Sequence, residues 1–401
     1  MIKYKDNIPI DIIILLGVLA ALTPMALDMY LPALPIIAID LKTSTTQAQF
    51  SVQAYLLGYA MGQFICGPLS DSYGRRPVLL GGLTVFTIIT LTIFTTDSSF
   101  VFNSLRLLQG ISGAAASIIT LTLVKDIFKR EKFARTMSLI SLIMLGAPVV
   151  SPIIGSHVSA WFGWRYIFTT LSGIAFAALI FVIVRLPETH AKEMRQPFEF
   201  LKVHQNYLTV IKNKTAFCYM LSNAFALSGV FCFLTSGSIV LAKVYKLTQQ
   251  QVGYMLGVNV LFSFAFTFSN SQLVCKVGSL KLLKIGLPVQ LSSCIAMNIF
   301  NFGNIFGLWG LILTVGLYIG INTSNYSNAL ACALHELPEN IVGTAAAFSG
   351  VLCFAVSPLV GGLLALFPVD STKPMVVGML LCSVASLLVF SAASPKGKVV
   401  I

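Results

Sequence analysis

The least expected chemistry in this sequence is an acid inside an apolar run, and Asp28 supplies it. It stands behind Pro24 and ahead of Pro32 and Pro35, in a stretch otherwise made of Ile, Leu, Ala and Met. A charge at bilayer depth costs about 2.5–3.5 kcal/mol even on permissive scales, so such a carboxyl must face a cavity or a partner. The prolines disfavour an unbroken helix around it. In that setting a carboxyl can take up a proton in one state and release it in another. The plainer alternative is an outer-end residue that reaches water, since Asp40 and Lys42 mark the outer boundary nearby. Proton binding is the reading favoured.

Arg106 is the matching base, the one Lys or Arg that falls inside a span away from its ends. On a helix, Arg106, Gly110, Gly113 and Ser117 share one face. Small residues there let another helix approach closely, which turns Arg106 into protein and away from lipid. An inward arginine can bind an anionic group, pair with Asp28 in one state, or make a fixed structural contact. The residues leave these open.

A third constellation is GPLSDSYGRRP over 67–77. Gly67 and Gly74 permit a tight turn, and Asp71 is expected to cap the helix that follows. Arg75 and Arg76 hold the inner surface, and Asp126 at the end of span four is a candidate partner for one of them. The set reads as a conformational latch; anchoring alone explains the arginines but not the Gly and Asp spacing. Span five carries Gly146, Pro148, Pro152 and Gly155, and span eleven carries Pro358, Gly361 and Gly362. Such helices suit close packing and bending. Asn322, Asn325 and Asn328 are polar at depth and read as interhelical bonding groups. Asp28, Tyr30, Tyr59 and Asn322 form the candidate substrate-cavity set.

The elements that must position these residues follow from composition. Of 401 residues 56% are hydrophobic and 10% charged, against about 25% charged in ordinary soluble domains. Twelve spans of about 20 residues use roughly 240 residues and leave no room for a soluble catalytic domain. A cytosolic enzyme, a secreted protein and a DNA-binding module are excluded. The spans fall near 10–35, 49–70, 77–96, 100–126, 134–157, 164–185, 215–242, 250–272, 280–299, 304–328, 341–366 and 374–393. With both tails cytoplasmic, 20 of the 26 Lys and Arg lie on the inner side and five on the outer. That is the positive-inside pattern, so the net charge of +12 reports topology and contact with anionic lipid rather than nucleic acid. The first apolar run is too long for a signal peptide and is expected to remain as the first span. The eight cysteines have no C-x-x-C pair, and His157, His190, His204 and His335 fall at loops or span ends. No metal, no cofactor and no ATP-binding loop is expected.

The polar segment 186–214 divides the chain into a six-helix half over 1–185 and a second over 215–401. LSDSYGRRPVLLGG (69–82) aligns with LVCKVGSLKLLKIG (273–286) at an offset of 204, and SPIIG (151–155) with SPLVG (357–361) at 206. Two landmarks at nearly one offset indicate parallel repeats, a transporter plan with its substrate site near mid-membrane.

Together these motifs resemble the major facilitator superfamily, and within it the Bcr/CflA-type drug:proton antiporters. The resemblance runs through nearly the whole chain. It is carried by LDMYLPALPIIAIDL (27–41), GQFICGPLSDSYGRRPVLL (62–80), LRLLQGISGAAA (105–116), GAPVVSPIIGS (146–156), GWRYIF (163–168) and RLPET (185–189). It implies that Asp28 couples protons and touches substrate, that the fourth-span Arg106 is tied to coupling, and that Asp71, Arg75 and Asp126 form an inner gate. The chain departs from the pattern in several places. Lys125 stands in place of an arginine, Ser156 in place of a glycine, Ala20 and Ala21 where some relatives carry a second acid, and Cys275 opposite Asp71. A one-proton cycle and a weaker gate in the second half follow.

The expected protein is therefore an all-α polytopic membrane protein with 12 helices in two pseudo-symmetric halves. It exchanges protons for a small amphipathic organic molecule across the bacterial inner membrane, as a monomer, by alternating access. The alternatives are a proton-coupled importer on the same fold and, from another class, a membrane-embedded lipid-modifying enzyme. The second needs a cluster of acids, His or Ser at one depth, which the lone Asp28 does not supply.

Overall fold

The computed structural model describes residues 10–127, 130–190, 195, 200–338, 341–367 and 370–393. The tail lysines used to orient the chain, and Lys129 in the 4–5 loop, lie outside the described residues. Among those described there is helix and no strand. The elements are α1 (Ile10–Asp28), a single 3-10 turn (Leu31–Ala33), α2 (Leu34–Asp40), α3 (Thr45–Tyr73), α4 (Arg75–Thr92) and α5 (Ser99–Ile127). They continue with α6 (Arg130–Phe162), α7 (Arg165–Arg185), α8 (Phe200–Lys212), α9 (Lys214–Lys243) and α10 (Gln249–Val277). The last four are α11 (Ser279–Phe302), α12 (Gly307–His335), α13 (Val342–Ala365) and α14 (Lys373–Ser391). Among the described residues eleven stretches are long and apolar enough to cross a membrane, the first being α1 and α2 together. The twelfth long helix is α3, 29 residues with a larger share of Gln, Ser and Thr.

The chain forms two compact units. One contains Met1–Thr43 and Ala54–Phe200, the other Ser44–Gln53 and Leu201–Ile401. In the first, α1 packs on α5, α6 and α7, and α4 packs on α5 and α7. In the second, α9 packs on α12, α13 and α14, while α12 packs on α10 and α11. The opening turns of α3 group with the second unit through their amides. Gln49 Nε2 donates to Ser236 Oγ at 3.2 Å, and Gln53 Nε2 to Thr235 Oγ1 at 2.9 Å. Gly361 leaves the room that the Gln53 amide fills. The polar segment 186–214 contains a helix, α8, whose Tyr207 and Val210 are buried.

Local chemistry sets the helix ends. Pro32 lacks an N–H, and its ring opposes the carbonyl four residues back, which is that of Asp28. Accordingly α1 stops at Asp28 and the chain re-enters helix only through the 3-10 turn. At α10 the side chains of Thr248 and Gln251 form a reciprocal capping box. Asn213 caps α9 by accepting from the Ala216 N–H at 3.1 Å. At the far end of α2, Asp40 accepts from Trp164 Nε1 at 2.9 Å and pairs with Arg165, which also holds Asp97 at 2.6 Å. The GWRYIF segment thereby pins the end of the broken first span.

Candidate functional site

Asp28 is the terminal residue of α1 and is 8% exposed, the only buried carboxyl among the described residues. It makes no ion pair among the described residues. The helix break is held from the side by α6, where a Cβ on Gly155 would run into the Met29 carbonyl. The antiporter-motif helix thus packs on the backbone immediately after the acid. Helix α6 stays helical through Pro148 and Pro152. There is nothing within 4 Å of where a Cβ on Gly146 would sit. It also runs on to Phe162, so His157 lies within a helix and not at a span end, with Nδ1 2.9 Å from the Ile153 carbonyl.

Arg106 is fully buried. Its guanidinium lies 4.3 Å from the centroid of the Tyr30 ring and 4.4 Å from that of Tyr55, with Phe168 at 5.8 Å. Nη1 donates to Gln109 Oε1, and Gln109 Nε2 passes on to Thr90 Oγ1 at 2.8 Å. Nε and Nη2 have no hydrogen-bond partner among the described residues. No pairing with Asp28 is present; the charge rests on aromatic faces and one amide. The small-residue face works as its spacing implies. Gly110 lies against the Tyr55 carbonyl, Gly113 against Tyr55 and Phe86, and Ser117 Oγ is 3.0 Å from Thr23 Oγ1. Tyr30 and Tyr59 are both buried, the second stacked at 6.5 Å on Tyr55.

The loop motif folds more tightly than its spacing suggests. Gly67 lies inside α3 and takes no part in the turn, which is Gly74 alone, at φ +104°. Asp71 does not cap α4. It lies in the last turn of α3 and pairs with the Arg75 guanidinium, which also donates to Ser70 Oγ at 2.7 Å and lies 3.5 Å from Asp126 Oδ2. The cap is Glu188, from RLPET, which accepts from the Arg75 N–H at 3.0 Å and the Arg76 N–H at 3.2 Å. A carboxylate there meets the unpaired N–H groups and positive end of a helix. Thr189 Oγ1 donates to Asp126 at 3.2 Å, and Arg195 Nη2 lies 3.7 Å from Glu188. Glu188 is the residue that sequence reasoning missed. Its signal was the RLPET motif itself, quoted there only as a boundary of span six.

In the second unit the asparagines form a ladder. Gln290 donates to Asn322 Oδ1 at 3.3 Å, Asn325 to Gln290 Oε1 at 2.9 Å, and Asn328 to Asn270 Oδ1 at 2.8 Å. Asn322 is thus engaged within the unit that does not contain Asp28, Tyr30 and Tyr59. All eight cysteines are free thiols, and no metal-holding group of side chains occurs among the described residues.

Six long helices in each of two units, with a broken first span, are the plan of a multi-pass membrane transporter. The chain matches the family model of the Major Facilitator Superfamily over residues 16–362 and belongs to that superfamily. It is a membrane transporter and not an enzyme. It is 36% identical, over 94% of each chain, to the bicyclomycin resistance protein homolog of Haemophilus influenzae. It is 25% identical to multidrug resistance protein D of Escherichia coli, over 96% of this chain and 95% of that one. Among solved structures, the crystal structure of a D-xylose–proton symporter superposes with a TM-score of 0.78 at 15% identity, covering 96% of this chain and 98% of the other.

Proposed function

We propose that this chain is a drug or metabolite exporter of the inner membrane that exchanges one incoming proton for an outgoing amphipathic molecule. Asp28 carries the reading: a buried carboxyl without an ion pair, at the end of a helix stopped by proline. The resistance proteins among its relatives support export of small organic compounds. The symporter likeness speaks to the fold alone.

In the proposed cycle Asp28 takes a proton from outside, and the neutral acid permits the inward-open state. Substrate then binds at Asp28, Tyr30 and Tyr59, and the proton leaves inside. Arg106, whose Nε and Nη2 are unengaged among the described residues, is the fourth-span arginine tied to coupling. The Asp71, Arg75, Asp126 and Glu188 contacts form an inner latch, made in one state and broken in the other. Coupling is the difference in substrate affinity between the two states. Both termini are cytoplasmic and the working unit is a monomer. The test uses inside-out vesicles with an imposed proton gradient and labelled drugs and metabolites. Gradient-driven accumulation that Asp28→Asn abolishes is expected; accumulation that survives the substitution overturns the assignment of the proton site.

A further inference from the structure

The two units treat their cations differently. Every ion pair among the described residues lies in the first unit, and each uses arginine. In the second unit Lys212, Lys214, Lys276, Lys281 and Lys284 are all exposed, and none is in an ion pair among the described residues. Four of these lysines, Lys212, Lys214, Lys281 and Lys284, stand within two residues along the chain of members of one apolar cluster. Val210 from α8, Ala216 and Tyr219 from α9, and Leu283 and Leu287 from α11 pack together with Leu337 and Ile341. Lys212 and Lys214 flank the first side of that cluster, and Lys281 and Lys284 flank Leu283. One described acid, Glu336, stands at this end, where its carbonyl receives Asn213 Nδ2 at 2.7 Å.

Helix α8 lies on the cluster with one face only. Val210 is fully buried and Tyr207 packs on Phe348 at 5.0 Å between ring centroids. On the other side Leu208 and Ile211 are 37% and 44% exposed, next to the exposed Lys212. Apolar side chains beside lysines, at the end of a membrane-spanning helix, match the headgroup layer, where hydrocarbon and phosphate lie within one side-chain length.

We propose that this end of the second unit is a docking surface for anionic phospholipid, with α8 lying in the headgroup layer and the lysines holding phosphate. That this headgroup layer is the cytoplasmic one rests on the orientation proposed above. The surface is separate from Asp28 and the latch, which belong to the first unit.

The test uses the full chain in detergent, offered equal amounts of phosphatidylglycerol and phosphatidylcholine of matched acyl chains, with bound lipid counted by native mass spectrometry. The wild type is expected to retain phosphatidylglycerol about tenfold over phosphatidylcholine, as several lysines near one surface imply. Changing Lys212, Lys214, Lys281 and Lys284 together to Gln brings the ratio near one, while the same four changed to Arg keep it. An unchanged preference in the Gln variant overturns the proposal. So does displacement of the lipid by millimolar inorganic phosphate, which assigns the lysines to a soluble anion, or by an acidic peptide, which assigns them to a protein partner. If the Gln variant does not fold, Ile211→Trp in the otherwise intact chain decides. Quenching by brominated phosphatidylglycerol beyond that by brominated phosphatidylcholine supports the surface, and equal quenching overturns it. Neither readout involves transport, so failure of the antiport assay leaves this result standing and the reverse.

Discussion

Gly74 and Gly278 stand at the same place in the two repeats, 204 residues apart, and both begin a helix from left-handed backbone, at φ +104° and +84°. Their surroundings share nothing else. A Cβ on Gly74 would meet the Glu188 carboxylate and the Arg195 guanidinium, whereas nothing lies within 4 Å of one on Gly278. Asp71 and its ion pair are replaced by the free thiol of Cys275. The contrast extends through both units. Charged pairs hold the first; the second is held by the amide ladder of α10, α11 and α12 and by hydroxyl contacts such as Ser228 Oγ to Ser357 Oγ at 3.3 Å. One backbone device thus serves two chemistries. Charge is concentrated in the unit that contains Asp28. Neutral hydrogen bonds keep their strength across pH and salt, which suits a unit that serves as frame.

The largest effect expected of this contrast is on transport. Asp28→Asn should lower gradient-driven uptake into inside-out vesicles by about 100-fold, at the upper end of site coupling energies. Asn322→Ala in the same assay should change it by about threefold or less if the ladder is chiefly structural. Comparable losses from both would erase the distinction between the units.

Next in size is a packing comparison between the two repeated glycines of SPIIG and SPLVG. Gly155→Ala drives a methyl into the Met29 backbone and should cost about 3 kcal/mol in detergent unfolding, near the top of the overpacking range. Gly361→Ala meets only the movable Gln53 side chain and should cost about 1 kcal/mol by the same reasoning.

Gly74→Ala and Gly278→Ala share the penalty, about 1–3 kcal/mol, of a positive-φ region essentially restricted to glycine. Only the first also displaces the Glu188 cap, so its melting temperature should fall further. Smaller again is the effect of the cap alone. Glu188→Gln should cost about 1 kcal/mol, the usual worth of a helix cap with a favourable charge. That loss should shrink in high salt. Asn325→Ala, which removes a neutral amide contact worth about 0.6 kcal/mol, should show no salt dependence. Equal salt sensitivity in these two variants would mean that the units do not differ in the way their chemistry implies.

How much of this could be read from the chain alone depended on the distance over which each cause acts. The apolar spans, the break after Asp28 and the burial of the Arg106 face follow from hydropathy, proline sterics and helical spacing, all of which operate within a few residues. The repeat could be seen because its landmarks kept their spacing. Expectations that named a partner fared differently. Asp71 was expected to cap α4, but it lies one turn too early, inside α3, and the cap comes from Glu188, 113 residues after Arg75. Gly67 was assigned to a turn that Gly74 makes by itself. Arg106 is caged by Tyr30 and Tyr55 with no acid against it. The opening turns of α3 group with the second unit through Gln49 and Gln53, and nothing in their local sequence marks that.

The sequence by itself determined that this protein lives in a bilayer, where its helices break, and which acid is buried at depth, because solvation and backbone sterics are local energies. Which groups meet across a hundred residues of chain was decided only by the packing of whole helices, since hydrogen bonds and ion pairs form where the folded backbone brings donor and acceptor within about 3 Å.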